Sequence, residues 1–186
     1  AADLLSIIGA ITEVSLISTS LSSSEGIDAS VEVVTIGSAS DGRSVLGDAV
    51  AFLRHQVGMA RAIARREEQL VLFFGATAYL LPIAVARLAG KTVILEPRGD
   101  VPHSLFVRWR RRLPTQMAWL LSRAVGLLER IGYHLADAII TYTPGMAASL
   151  GLTRYEETLY TDGARFIDTD TFRPMMPFEE RPMTVG

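Results

Sequence analysis

The sequence predicts an α/β domain: a three-layer α/β/α arrangement in which a mostly parallel sheet is covered by helices. Three observations carry this expectation. Short apolar, β-branched runs alternate with longer stretches of helical spacing along the chain. The interior runs (Leu70–Phe74, Thr92–Leu95 and Ala138–Tyr142) are apolar throughout rather than alternating, the pattern of strands buried on both faces. Of the 186 residues 49% are hydrophobic and 20% charged, so a substantial core can form.

Taken in order, Ala2–Ile11 is apolar and helical in character, with Gly9 weakening its end. Val14–Thr19 is a short β-branched run and a first strand, and Ser20–Ser30 is a Ser- and Gly-rich loop. Val31–Ile36 is a second strand and Gly37–Gly42 a loop. From Val45 to Arg66 the spacing is helical: Val45, Ala49, Phe52, Leu53, Val57, Ala60 and Ile63 share a face, and Arg54, Arg61, Arg65 and Arg66 fall elsewhere. Leu70–Phe74 is a buried strand. Gly75-Ala76-Thr77, with Thr77 as cap, turns into a helix over Ala78–Ala89 that Pro82 must kink or restart, and Gly90 ends it. Thr92–Leu95 is the next strand, closed by Glu96-Pro97-Arg98-Gly99-Asp100. Thr115–Leu135 is a long helix whose apolar part is Trp119, Leu120, Val125, Leu127, Leu128 and Ile131. After the strand at Ala138, Thr143 is placed to cap a further helix with Pro144 at its first position. A short strand at Thr158–Tyr160, a tight turn at Asp162-Gly163 and an extended crossing segment complete the chain.

The composition excludes several classes. A net charge of −2 argues against a dedicated nucleic-acid binder. The chain has no cysteine, which removes disulfides and thiolate metal sites, and its three histidines (His55, His103, His134) are widely spaced, so no zinc site is expected. No apolar run is long enough to span a bilayer. Asp168-Thr169-Asp170 lacks the glycine and closing glutamate of a calcium loop.

Open parallel sheets bind ligands at the carboxyl ends of their strands, so four loops are expected to converge on one edge: Gly75–Thr77, Glu96–His103, Thr143–Gly145 and Asp162–Gly163. Gly75, Ala76 and Thr77 open a helix and offer backbone N–H groups to an anion or a sugar hydroxyl, but without the glycine spacing of a dinucleotide fingerprint. Glu96 to His103 is the densest stretch chemically, with two carboxylates, a guanidinium and an imidazole held stiff by two prolines. Asp100 and His103 are the candidates to accept a proton from a hydroxyl, and Glu96, Arg98 and Gly99 to orient it. The plainer alternative is a surface pair between Arg98 and Asp100. Arg108, Trp109, Arg110, Arg111 and Arg112 form a local basic burst that, with Leu105, Phe106 and Leu113, suits anionic lipid headgroups; a solvated face is the alternative. His55 and His134 lie inside helices and read as structural.

The run Ala136-Asp-Ala-Ile-Ile-Thr-Tyr-Thr-Pro-Gly-Met-Ala-Ala-Ser-Leu150, followed by Tyr160-Thr-Asp-Gly163 and Ile167-Asp168-Thr169-Asp170-Thr171-Phe172-Arg173-Pro174, resembles the end of the N-terminal domain of family-4 glycosyltransferases. These are group 1, glycogen synthase-like enzymes of the GT-B fold. Asp162-Gly163 stands where Asn-Gly is usual, and Ala164-Arg165-Phe166 resembles a short insertion. The likeness runs from about Leu70 to Pro174 and is weaker before it. It implies a Rossmann-like N-terminal, acceptor-side domain over residues 1–174, shortened at its start, with 175–186 leading to a C-terminal donor-binding domain. It implies an enzyme that moves a sugar from a nucleotide-sugar to an acceptor hydroxyl on a glycan or lipid-linked molecule with retention, without cofactor or metal. This stretch alone is then expected to be inactive. Gly75, Thr143 and Gly163 become backbone positions at the cleft rim, Arg98, Asp100 and His103 acceptor contacts. The implied partners are the chain's own C-terminal domain, donor, acceptor and an anionic membrane surface, with no nucleic acid. The implied location is cytoplasmic, with a peripheral position at the inner membrane face. The competing readings are a sugar-nucleotide epimerase of the same fold, a non-catalytic binding module, and, weakened by the missing glycine fingerprint, a dinucleotide-dependent oxidoreductase.

Overall fold

A computed structural model describes residues 2–19, 31–37 and 45–161. The expectations for Ser20–Ser30, for Asp162-Gly163 and for the crossing segment through Pro174 lie outside the described residues. Every strand pairing among those described is parallel, in an α/β fold with two sheets. Strand β1 (Ser15–Ser18) pairs with β2 (Glu32–Thr35), with Ser15 opposite Glu32. Strands β3 (Leu70–Phe74), β4 (Thr92–Glu96), β5 (Ala138–Ile140) and β6 (Leu159–Tyr160) form the second sheet in that order. Around them run α1 (Ala2–Gly9), α2 (Val45–Ala64), α3 (Leu80–Leu88), α4 (Val101–Trp109), α5 (Thr115–Leu135), α6 (Pro144–Ser149) and a 3-10 turn at Thr153–Tyr155.

The core lies on the four-stranded sheet. Val93 and Leu95 of β4, Ile139 of β5 and Ile83 of α3 are fully enclosed, with Ile63, Phe73 and Leu152 around them. Each such side chain contributes about 1.5–3 kcal/mol relative to exposure. β3 is less buried than its apolar sequence suggests, with Leu70 and Phe74 exposed, because it is an edge strand of its sheet and not an interior one. The two sheets are linked through Ile17, which packs against the core. Ser15 donates to Glu68 just before β3, and Arg66 bridges Glu32 at 2.5 Å.

Three further expectations are corrected. The helix after β3 opens at Leu80 rather than Ala78, and Thr77 does not cap it. Pro82 therefore falls in the first turn, where its missing N–H has no intrahelical partner to lose, and it causes no kink. The Leu81 N–H donates 2.8 Å to Oε1 of Gln56 on α2. A whole helix, α4, occupies what read as a stiff loop: Asp100 caps it by accepting from the His103 N–H at 2.8 Å, and Pro102 lies in its first turn. Finally, α5 has the expected bounds but turns a different face inward. Ala118, Ser122, Glu129, Gly132 and Tyr133 are buried, whereas Trp119, Leu120, Leu127 and Ile131 are exposed. The small residues let the helix come close. A Cβ on Gly132 would stand 3.2 Å from both Ile83 Cδ1 and the Thr77 carbonyl.

Candidate functional site

All four strands of the larger sheet are parallel, so the loops after β3, β4 and β5 leave from the same edge. The loop after β3 begins at Gly75, whose φ of +71° is left-handed and suits a residue without Cβ. The Gly75 N–H donates 2.9 Å to the Glu96 carbonyl at the end of β4. That donor is consumed inside the sheet edge, and α3 starts five residues later. Gly75 and Ala76 thus do not form the anion cradle expected at a helix start. Ala76 packs against the core.

Arg98 lies across this edge. Its guanidinium carbon is 4.3 Å from the centre of the exposed Phe74 ring and 5.8 Å from that of Tyr142, both within the roughly 6 Å reach of a cation–π contact. Tyr142, in turn, donates 2.6 Å to Oε1 of Glu96, a buried carboxylate at the last position of β4. Arg98 therefore joins the ends of three strands: it stands against Phe74 and against Tyr142, and Tyr142 in turn bonds to Glu96. Among the described residues no ion pair joins Arg98 to Asp100; Arg98 lies on the aromatic rings and Asp100 caps α4. His103 is exposed in the first turn of α4, and Gly99 is half-buried. Thr143 caps α6 as expected, accepting from the Met146 N–H at 3.1 Å, with Pro144 next to it. Gly163 lies outside the described residues.

Beneath the loop after β3 is a polar cluster. Thr77, fully buried, donates to the Glu129 carboxylate, and Tyr133 is one turn further along α5. Burial pushes the Glu129 carboxyl above its ordinary value of 4.5, the Thr77 hydrogen bond works against this, and the Asp100 charge adds to it. Burial likewise raises the Tyr133 phenol, with the Glu129 charge adding to the effect.

The basic burst is divided. Arg108 is 3.9 Å from Asp48 of α2, Trp109 is half-buried, and Arg110, Arg111 and Arg112 are exposed between α4 and α5. A shallow open hollow beside them is lined by Thr115, Gln116, Trp119 and Leu120 and includes no residue of the sheet-edge loops.

Sequence reasoning missed Phe74, Tyr142 and Glu129. Phe74 is the last residue of β3, and Tyr142, expected to end a strand, lies two residues past the end of β5, so both stand at the ligand-binding edge. Glu129 falls at helical spacing with Ala118, Ser122 and Gly132, and that small-residue stripe was the available signal for the inward face.

The chain matches no family model, no curated protein and no solved structure.

Proposed function

We propose that this chain is the acceptor-side half of a retaining glycosyltransferase, a Rossmann-like three-layer domain of the GT-B type in which 175–186 lead towards a donor-binding half. The observation that carries the reading is the sheet-edge cluster of Arg98, Phe74, Tyr142 and Glu96. A polyhydroxylated ring needs apolar surface for its C–H faces and fixed charged groups for its hydroxyls, and this cluster offers both side by side. The run from Ile167 to Pro174, in the place of a crossing to a second domain, supports the same reading. Arg98, with Asp100 and His103 at the start of α4, would orient the acceptor, and the second domain would hold the nucleotide diphosphate. Glycosyl transfer then proceeds between the two halves, with fixed dipoles and charges stabilising the departing diphosphate.

The test is a titration of the full chain, followed by NMR, with UDP, GDP, their sugar conjugates and a panel of oligosaccharides. Saccharides are expected to shift the amides of Gly75, Arg98 and Tyr142, and Arg98→Ala to abolish those shifts. Nucleotides alone are expected to leave them unmoved. Micromolar nucleotide binding at the loops of Gly75 and Glu96 would overturn the acceptor-side reading in favour of the epimerase or the oxidoreductase.

A further inference from the structure

Among the described residues, the face that α5 turns away from the core is open to solvent. Met117, Leu120, Ala124, Leu127 and Ile131 follow one another at steps of three and four residues and so form one stripe along the helix. The stripe is open to solvent: Leu120 is 63% exposed, Leu127 57% and Met117 51%, with Trp119 beside them at 52%. It extends over roughly 20 Å at the rise of an α-helix.

The charges on this face have one sign. Arg123 and Arg130 are exposed along it, His134 is exposed at its end against Tyr155, and the Arg123 guanidinium carbon stands 5.2 Å from the centre of the Trp119 ring. Arg110, Arg111 and Arg112 precede the helix and are exposed. The one carboxylate of α5, Glu129, is buried on the opposite side. In a chain with 20 acidic residues and a net charge of −2, the outward positions of this helix carry none.

We propose that the outward face of α5 is a docking surface for an anionic lipid bilayer. The helix lies flat in the interface, Leu120 and Leu127 enter the acyl boundary, and Trp119 rests at headgroup level. Arg110, Arg111, Arg112, Arg123 and Arg130 reach lipid phosphates while their aliphatic stems lie along the apolar stripe. A second copy of the chain fits less well, since pairing this face with itself brings Arg123 and Arg130 against like charges. A bilayer supplies an apolar bed as long as the stripe together with anions for Arg123 and Arg130, which share one flank of it. No described helix is long and apolar enough to cross a membrane, so this is a surface that lies on it. This face of α5 includes no residue of the sheet-edge cluster, so its docking does not depend on glycosyl transfer there.

The experiment is co-sedimentation of the full chain with vesicles of phosphatidylcholine alone and with roughly 30% phosphatidylglycerol, read together with tryptophan emission. Binding is expected on the anionic vesicles only, with a blue shift that Trp119→Phe removes and Trp109→Phe does not. The doubly exposed pair Leu120→Gln with Leu127→Gln is expected to weaken binding about tenfold or more. Arg123→Gln with Arg130→Gln, which leaves the apolar stripe intact, is expected to weaken it and to flatten its salt dependence. Circular dichroism checks that the variants stay folded. Failure to bind anionic vesicles, binding that both double variants retain, or a dimer in sedimentation equilibrium that the leucine pair dissolves would each overturn the proposal.

Discussion

At Gly75 a single backbone angle holds the candidate site together. Its φ of +71° costs an L-residue roughly 1–2 kcal/mol, and a Cβ there would stand 2.9 Å from Arg98 Cγ. Gly75→Ala is therefore expected to lower stability by at least that amount and to push Arg98 off Phe74, measured by denaturant unfolding and by the ring-current shifts of the Phe74 neighbourhood. Glu129 is a second residue whose behaviour follows from its place. Because burial raises its folded-state pKa, its contribution to stability is full below the ordinary glutamate range and is lost as pH rises through the raised value. Glu129→Gln keeps an acceptor for Thr77 without the charge. The variant is expected to match the parent in melting temperature at acid pH and to exceed it at pH above neutrality. Equal melting curves at alkaline pH would show that Glu129 is not desolvated. The only lysine in the chain, Lys91, is also buried, and its Nζ donates to the carbonyls of Arg66 and Glu68, both at 2.7 Å. Its compact ammonium has three rotatable donors, enough to serve both converging carbonyls.

Among the elements, α4 and α5 show how local signals and packing divide the work. Asp100 begins α4 by capping it, so Asp100→Ala is expected to lose about 0.5–2 kcal/mol and to speed amide exchange in the first turn. If Asp100 also meets acceptor, saccharide binding in the NMR titration falls by more than the helix loosening accounts for, and Asp100→Asn, which retains a cap, separates the two effects. On α5, Gly132 lets the helix approach the Thr77 carbonyl and Ile83. Gly132→Val is expected to destabilise by about 1–3 kcal/mol through overpacking, although valine in place of glycine improves the helix itself. A rise in stability would mean that α5 stands further from the sheet than the structure places it. The cap and the proline of α4 are legible in its residues, Asp100 followed by Pro102, and only taking Pro102 as a loop residue hides the helix. The inward face of α5 was legible only in its stripe of small residues, Ala118, Ser122 and Gly132, because the large apolar Leu120, Leu127 and Ile131 point outward.

For the molecule as a whole, the two sheets differ in how they are held. β3 to β6 enclose the core, whereas β1 and β2 are joined to it by Ile17, by Ser15 on Glu68 and by Arg66 on Glu32. Hydrogen bonding from Ser15 holds the Glu68 carboxyl below its ordinary value, and hydrogen bonding from Arg66 does the same for Glu32. Contributions of that sign are present above the ordinary carboxylate range and are lost as pH falls through the lowered values. The smaller sheet is thus expected to exchange its amides faster than β3 to β5, and faster still under acid, with Arg66→Gln reproducing the acid effect at neutral pH. Uniform exchange across both sheets would contradict this ordering.

What the sequence determined by itself is the alternation of strands and helices, the bounds of β3 and α5, the Thr143 cap with Pro144 and the left-handed turn at Gly90 (φ +74°). Each of these rests on periodicity or on the conformational limits of one residue, both of which are local. Tertiary structure alone decided that the strands form two sheets, that β3 is an edge, that Arg98 lies on Phe74 and Tyr142 while Asp100 turns to α4, and which face of α5 meets the core. Those outcomes depend on pairings between residues far apart in the chain, where close approach and desolvation outweigh local preference.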